Sequence, residues 1–182
     1  DAFIAEEGIP NVTGFAIDDL RAIAVKPWAR LDCLGSSINL DGNAGTNDAY
    51  VAEIPPGGKM APEKHLFEKN IYVLSGRGAT LVGDDPDNRT SFEWKDGSIF
   101  SIPLNVWHQH MNGSGTEPAR FLAVTTLPLV LSFFRNRDFV FSNPFPFTDR
   151  YGESKRYQGE GRMYTGDSGR VNVWETNFIP DI

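Results

Sequence analysis

Hydrophobic and polar residues alternate in short runs along the first 126 positions of the chain, and glycine- and proline-containing turns separate the runs. A period of two places successive side chains on opposite faces of a β-strand, so this alternation predicts strands rather than helices. The turn signals at residues 55–58, 75–78 and 95–97 fall between runs, as hairpins require. The pattern predicts strands at residues 21–25, 33–40, 49–54, 70–75, 79–82, 91–94, 98–102, 108–112 and 120–126, with a helix at 17–24 as the alternative to the first.

Such a series of short strands is typical of a closed or nearly closed antiparallel β-barrel. From residue 133 onward the composition changes, because half of the chain's aromatic residues lie there. Residues 141–170 lack periodicity, and we expect an irregular arm that packs its rings on the barrel or on a second subunit. Residues 171–182 alternate again and predict one more strand. We divide the chain into an amino-terminal arm with the first strands (1–48), a barrel core (49–132) and an aromatic-rich carboxy-terminal arm with a final strand (133–182).

Composition and charge narrow the possible partners. Of the 182 residues 40% are hydrophobic, which is enough for the core of one domain, and the net charge of −7 argues against nucleic acid or an anionic membrane as a partner. Two threonines and Pro128 interrupt the longest apolar stretch, so we expect no transmembrane helix. The single cysteine, Cys33, cannot form an internal disulfide and is interpreted as a buried hydrophobe. These features favour a cytoplasmic protein.

The candidate chemistry lies in two short segments that contain all three histidines of the chain. Residues two apart on a strand share a face, so Glu63 and His65 form one pair and His108 and His110 form another. If both segments line the same barrel, four side chains that can bind a metal converge. Imidazole and carboxylate donors in such a group are what a mononuclear transition-metal site needs.

These two segments resemble the two motifs of the cupin superfamily, across roughly residues 50–126. The second motif is written G-x5-P-x-G-x2-H-x3-N, and the chain matches all of it except the inner glycine, through Gly97, Pro103, His108 and Asn112, with Asn105 in place of that glycine. The first motif is written G-x5-H-x-H-x3,4-E-x6-G, and the chain matches it in part through Gly57, His65 and Gly76, with Glu63 in place of the first histidine and Lys69 in place of the glutamate.

The resemblance implies a cupin-like antiparallel β-barrel of the jelly-roll type with a metal held inside it, and a homodimer. Only His65 and His108 carry over directly as ligands. Glu63 can replace a histidine as an oxygen donor, which gives the two histidines and one carboxylate of non-haem iron enzymes. His110 is a candidate fourth ligand or catalytic base. The expected cofactor is a divalent transition metal, iron first, with manganese, nickel or zinc as alternatives.

Lys69 is the main departure from the family pattern, because an ammonium repels a nearby divalent cation. Three interpretations remain open at this point. Lys69 pairs with Glu63 in a site that has lost its metal; or it turns aside while Glu68 becomes the ligand through a β-bulge; or it anchors a substrate carboxylate beside the metal, as a catalytic residue.

The leading functional hypothesis is a metal-dependent cupin enzyme, dioxygenase-like, that acts on a small organic acid or phenolic compound. Apolar barrel residues such as Ile71 and Val73 are expected to shape its pocket. The alternative is a metal-free barrel that binds or senses a small molecule without catalysis, and a third class is a structural or storage protein. Because residues 174–182 end in the middle of a strand pattern, we also expect the chain to be one half of a two-domain cupin.

Overall fold

The computed structural model describes residues 2–43, 45–83, 89–147, 157, 159, 161–165 and 172–181. It is mostly β, as the alternating pattern predicts. The strands are β1 (Asn11–Gly14), β2 (Lys26–Trp28), β3 (Cys33–Leu40), β4 (Asp48–Ile54), β5 (Lys69–Ser75), β6 (Arg77–Val82), β7 (Thr90–Lys95), β8 (Ile99–Ile102), β9 (His108–Asn112), β10 (Ala119–Thr125), β11 (Arg162–Thr165), β12 (Asn172–Glu175) and β13 (Phe178–Ile179). The helices are α1 (Ala2–Glu7), α2 (Leu127–Phe134) and α3 (Arg137–Phe141).

Two sheets carry the candidate chemistry. The larger has the strand order β1-β3-β4-β10-β5-β8-β13, with β2 also paired to β3, and the smaller has the order β7-β6-β9. Neighbouring strands pair antiparallel, with one exception: β1 runs parallel to β3. Strands β3 and β9 have the bounds that the sequence predicts, and the strands from β4 to β10 agree within two residues. The fold is the cupin-like, mostly β arrangement that the resemblance implies.

The inner faces of the two sheets pack against each other through aromatic and β-branched side chains. The ring of Phe92 on β7 lies 5.0 Å from that of Phe100 on β8, and Ile71 and Val73 on β5 are fully buried in the same cluster. Cys33 is also buried there, and burial raises the pKa of its thiol to about 12. This fits the interpretation of Cys33 as a small core residue.

The amino-terminal region differs from the prediction. Residues 21–25 were expected to form a strand or part of a helix at 17–24; instead Leu20–Ala22 is a single 3-10 turn, and the strand begins at Lys26. The side chain of Asp19 accepts a hydrogen bond from the backbone N–H of Arg21, which caps this turn. The apolar residues Leu20 and Ile23 pack in a small cluster outside the main core. Their spacing reflects this packing and not the alternation of a strand.

The carboxy-terminal half also contains elements that the pattern did not indicate. Helices α2 and α3 follow β10 directly, with Pro128 in the first turn of α2. Strand β11 lies inside the predicted irregular arm and pairs with β12. The final predicted strand is divided into β12 and β13, and β13 joins the edge of the larger sheet beside β8. Residues 148–156 and 166–171, over which these predictions also extended, lie outside the described part of the chain. Among the described residues, no helix combines the length and the apolarity that a membrane crossing requires.

Asn105 explains how this chain manages without the inner glycine of the second motif. Its backbone φ of 58° lies in the left-handed region, which glycine and asparagine adopt more readily than other residues. Its side-chain amide donates hydrogen bonds to the carbonyl oxygens of Asn143 (3.0 Å) and Phe145 (2.7 Å). Asn105 therefore adopts the left-handed turn conformation, and its side chain hydrogen-bonds the segment that follows α3.

We predict that Asn105→Ala lowers the free energy of unfolding by about 1 kcal/mol more than Asn105→Gly does, because alanine adds the strain of a left-handed backbone. Both variants lose the two hydrogen bonds, so both should be less stable than the wild type. Urea unfolding followed by tryptophan fluorescence measures the difference. Equal stability of the two variants would contradict the role assigned to the backbone.

Candidate metal centre

Strand β9 points two of the three histidines into the space between the sheets. His108 and His110 are buried, while Gln109 between them is half-buried and donates to the carbonyl oxygen of Met60. Trp107 precedes His108, and 37% of it is exposed. The two-residue period thus places both imidazoles on one face, as the sequence predicts, and Trp107 on the other.

Glu63 reaches the same place through a backbone pairing rather than through a strand. The backbone N–H of Glu63 donates to the carbonyl of His108, and the N–H of His108 donates to the carbonyl of Glu63, both at 3.0 Å. His65 follows outside any strand, and its carbonyl accepts from the N–H of Asn105. The segment that contains Glu63 and His65 is therefore joined to β9 by a single bridge, which brings the two segments together.

Backbone carbonyls fix which nitrogen of each histidine faces the site. Nδ1 of His65 lies 2.8 Å from the carbonyl oxygen of Phe67, and Nδ1 of His108 lies 3.0 Å from that of Val106. A carbonyl only accepts, so in both rings Nδ1 carries the proton and Nε2 presents a lone pair. Nε2 of His65 is buried and has no hydrogen-bond partner among the described residues. Both rings are thus oriented as metal ligands usually are.

Glu63, His65 and His108 form a group that could hold a metal ion, with one donor atom of each lying within 4.8 Å of the others. His110 is not brought into this group: its ring centroid lies 5.4 Å from that of His108, and its Nδ1 lies 2.8 Å from Oγ1 of Thr80. Glu68 is exposed at the start of β5 and does not take a ligand position. The β-bulge interpretation of Glu68 is therefore wrong.

Lys69 occupies the centre of the group. Its side chain is completely buried, and its Nζ donates to Oε1 of Glu63 at 2.6 Å and to Nε2 of His108 at 2.7 Å. The ammonium thus contacts two of the three donors that a metal would need. In type, orientation and spacing the three donors fit a divalent transition metal, but a metal and this ammonium compete for the same place.

The charged side chains of the site shift one another's pKa values. Burial alone opposes ionisation of Glu63, but the adjacent Lys69 charge holds the pKa of this carboxyl well below its usual range. Burial lowers the pKa of Lys69, while Glu63 opposes that shift. Burial and then the Lys69 charge lower the pKa of His65 and of His108. The site at neutral pH is therefore an ion pair surrounded by neutral imidazoles.

Three further residues that the sequence did not single out complete the site on its outer side. Arg30 donates from Nη1 to Oε2 of Glu63 at 3.2 Å, and from Nε to both carboxylate oxygens of Glu7 at 2.9 and 2.8 Å. The indole N–H of Trp28 donates to Glu7 as well. A cavity of about 30 Å³ adjoins these groups, with Phe67 and Tyr50 in its wall. Arginine and glutamate in a loop and a short helix follow no periodic pattern that could have indicated them.

Part of the chain is similar to known proteins. A family model described as a cupin domain matches residues 50–125. The 5-aminosalicylate 1,2-dioxygenase of a Comamonas species is 31% identical over 75 residues, which is 41% of this chain and 18% of that protein. The chain thus spans less than a fifth of this curated relative.

Two solved structures are similar at low identity. The oxalate decarboxylase of Lactobacillus farciminis in its formate complex has a TM-score of 0.49 and 23% identity, covering 60% of this chain and 32% of that one. The cupin domain of Schizosaccharomyces pombe Cnp3 has a TM-score of 0.49 and 16% identity, covering 59% of this chain and 66% of that one. The family match spans both segments that build the site, from β4 to β10. Residues 50–125 of the chain therefore form a cupin domain.

Proposed function

We propose that the chain is a metal-dependent cupin enzyme that oxidises a small organic acid or phenolic compound, in the manner of a dioxygenase. The observation that carries this proposal is the convergence of Glu63, His65 and His108, whose donor atoms lie within 4.8 Å of one another. Two histidines and one carboxylate are the donor set of non-haem iron oxygenases. The Comamonas relative, named as a dioxygenase of an aminosalicylate, supports both the reaction class and an aromatic acid as substrate.

In this proposal Glu63, His65 and His108 hold the metal, with iron first and manganese, nickel or zinc as alternatives. A bound divalent iron would supply the electron transfer that oxidation of an organic acid by dioxygen requires. His110 lies outside this group in the structure, and the role proposed for it is that of a proton acceptor or a fourth ligand. Burial lowers its pKa well below the usual range, so its imidazole is neutral at pH 7.

Lys69 must leave the centre for the metal to enter. Two unit charges 4 Å apart repel by about 4 kcal/mol at an effective dielectric of 20, and the metal carries two. Once turned from Glu63, the ammonium of Lys69 would hold the anionic group of a substrate near the metal.

The contact of Lys69 with Glu63 and His108 favours a second candidate function. In it the ammonium is the permanent cation of the site, and the barrel binds a small molecule without metal or catalysis. The buried ion pair then replaces the metal in neutralising Glu63. The two candidates differ in whether a divalent metal can displace the ammonium.

We further propose that the protein is a homodimer and acts in the cytoplasm. Several aromatic side chains of α2, α3 and the following segment are exposed, including 72% of Phe133 and 60% of Phe145. Rings exposed to this extent on neighbouring elements are typical of surfaces that another subunit covers. For the location, the support is the single buried thiol of Cys33, which needs no oxidising compartment.

We predict that protein purified without an affinity tag, reconstituted anaerobically with ferrous iron and desalted, holds close to one equivalent of metal. His65→Ala and His108→Ala should each reduce this content at least tenfold, because each removes one of three protein ligands. Gln109→Ala, on the same strand but facing the other way, is the matched control and should retain the metal. Elemental analysis measures the content, and a wild type without metal after reconstitution would refute the proposal.

Lys69→Met separates the two candidates. Without metal, we expect this variant to lose about 3 kcal/mol of the free energy of unfolding, because Glu63 remains buried without its closest cation. Adding Glu63→Gln to the same chain should restore much of that loss. Urea unfolding with and without a divalent metal then decides: the metal-dependent proposal predicts that metal stabilises Lys69→Met more than the wild type. If metal stabilises neither chain, the metal-free candidate is favoured.

Light scattering at micromolar concentration should give twice the 20.2 kDa mass of the chain. Phe133→Ser should shift the protein toward the monomer, since it removes apolar surface from the expected interface. Phe15→Ser is the matched control, because Phe15 is 82% exposed in a different part of the fold. A monomeric wild type would contradict the proposed dimer.

A further inference from the structure

Helix α1 lies over the outer side of the site and inserts one carboxylate into it. Glu7, the last residue of α1, has a side chain only 10% exposed, and both of its carboxylate oxygens contact Nε of Arg30. The indole N–H of Trp28 donates to the same carboxylate. A guanidinium and an indole N–H that converge on one carboxylate form a recognition site for that group.

The charges around Glu7 balance only while this helix is in place. Lys69 and Arg30 contribute two positive charges, and Glu63 and Glu7 contribute two negative charges. If Glu7 withdraws, one positive charge is left without compensation beside the metal-binding group. A monocarboxylate that enters in its place restores neutrality, whereas a neutral molecule does not.

Apolar side chains surround the Glu7 carboxylate, so they favour a ligand that combines a carboxylate with an apolar group. The guanidinium of Arg30 lies 5.2 Å from the ring of Trp28 and 5.2 Å from that of Phe141, and Ile4 and Phe67 line the adjoining cavity. With α1 in place this cavity measures only about 30 Å³, far less than the roughly 150 Å³ of a cavity that can hold benzene. An organic acid can therefore enter only when α1 and Glu7 move out.

Helix α1 is held through its side chains rather than by its own stability. The helix has six residues, too short to be stable in water on its own. Besides the Glu7 contacts, the ring of Phe3 packs on an apolar cluster, stacks on Phe141 at 5.8 Å and lies under the guanidinium groups of Arg30 and Arg137. Glu6 pairs with Arg137 at the surface, where about half of each side chain is exposed. Exposed pairs of this kind contribute little to stability.

From these observations we infer that Arg30 and Trp28 form the carboxylate-binding subsite of the barrel, and that Glu7 occupies it as an internal stand-in for the carboxylate of a small apolar acid. This inference rests on the proposed function only in taking the ligand to be a small organic acid. Arg30 also contacts Glu63, so an acid bound to Arg30 and Trp28 is separated from the metal-binding group only by the Arg30 guanidinium.

The test is titration of the metal-free protein with sodium benzoate, measured by calorimetry. Glu7→Gln removes the competing charge while keeping the shape, and we expect it to bind benzoate at least tenfold more tightly than the wild type. Arg30→Met in the Glu7→Gln chain should abolish this gain. Benzamide, which has the shape of benzoate without its charge, should bind to neither chain.

Glu6→Gln is the matched control, because Glu6 lies on the same helix and pairs with Arg137 instead of Arg30. It should leave benzoate affinity unchanged. If Glu6→Gln gives the same gain as Glu7→Gln, the gain comes from loosening α1 and the inference is overturned. It is also overturned if folded Glu7→Gln binds no benzoate at millimolar concentration.

A measurement on the wild type does not depend on any variant folding. Saturating benzoate should shift the NMR signal of the Trp28 indole N–H, because its acceptor changes from Glu7 to the ligand, and an unchanged signal contradicts the subsite. Since no metal is present in these titrations, they succeed or fail independently of the metal analysis. If the reconstituted protein holds metal but the metal-free protein does not bind benzoate, only this inference is refuted. If the protein binds benzoate but holds no metal after reconstitution, only the metal proposal is refuted.

Discussion

The buried ammonium of Lys69 is the constraint on which the rest of the site depends. A charge removed from water is tolerated only if it is paired and hydrogen-bonded, and Lys69 meets this condition through Glu63 and His108. Glu63 in turn contacts Arg30, and Arg30 contacts Glu7. Each charge is compensated by the next, so one continuous series of ion pairs runs from the barrel interior to helix α1. The position of a six-residue helix is thereby coupled to the charge at the centre of the barrel.

The sequence predicts most of the barrel because period-two alternation and turn chemistry act locally. Strand β9 agrees at both ends, and in it the buried His108 and His110 flank the half-buried Gln109. Strand β3 also agrees at both ends, although the four consecutive positions 35–38 are buried in it. The same parity correctly placed His108 and His110 on one face. The strand predicted at residues 21–25 was wrong. The apolar residues there pack in a small cluster outside the main core, and Ile23 is buried directly after a 3-10 turn.

The outer part of the site could not be predicted, for a physical reason. Glu7, Arg30 and Glu63 are separated by 23 and 33 positions in sequence and meet only through tertiary structure. Charged residues in a loop or a short helix have no hydrophobic period, and nothing local indicates whether they are solvated or paired. Lys69 differs in this respect: the family motif identified it as a departure, and the structure shows that it contacts Glu63, as one of the three interpretations required.

The charge balance links the metal proposal to the carboxylate subsite. If a divalent metal enters among Glu63, His65 and His108 while the ammonium of Lys69 turns aside, the positive charge of the centre increases. That charge adds to the field at Arg30, which lies 3.2 Å from the same Glu63 carboxylate. An anionic ligand is then held more strongly than in the metal-free protein, and by thermodynamic reciprocity the ligand strengthens metal binding by the same factor. Metal and organic acid should therefore bind to this barrel cooperatively. The positive metal attracts the bound anion, and only the Arg30 guanidinium and the Glu63 carboxylate lie between their two sites.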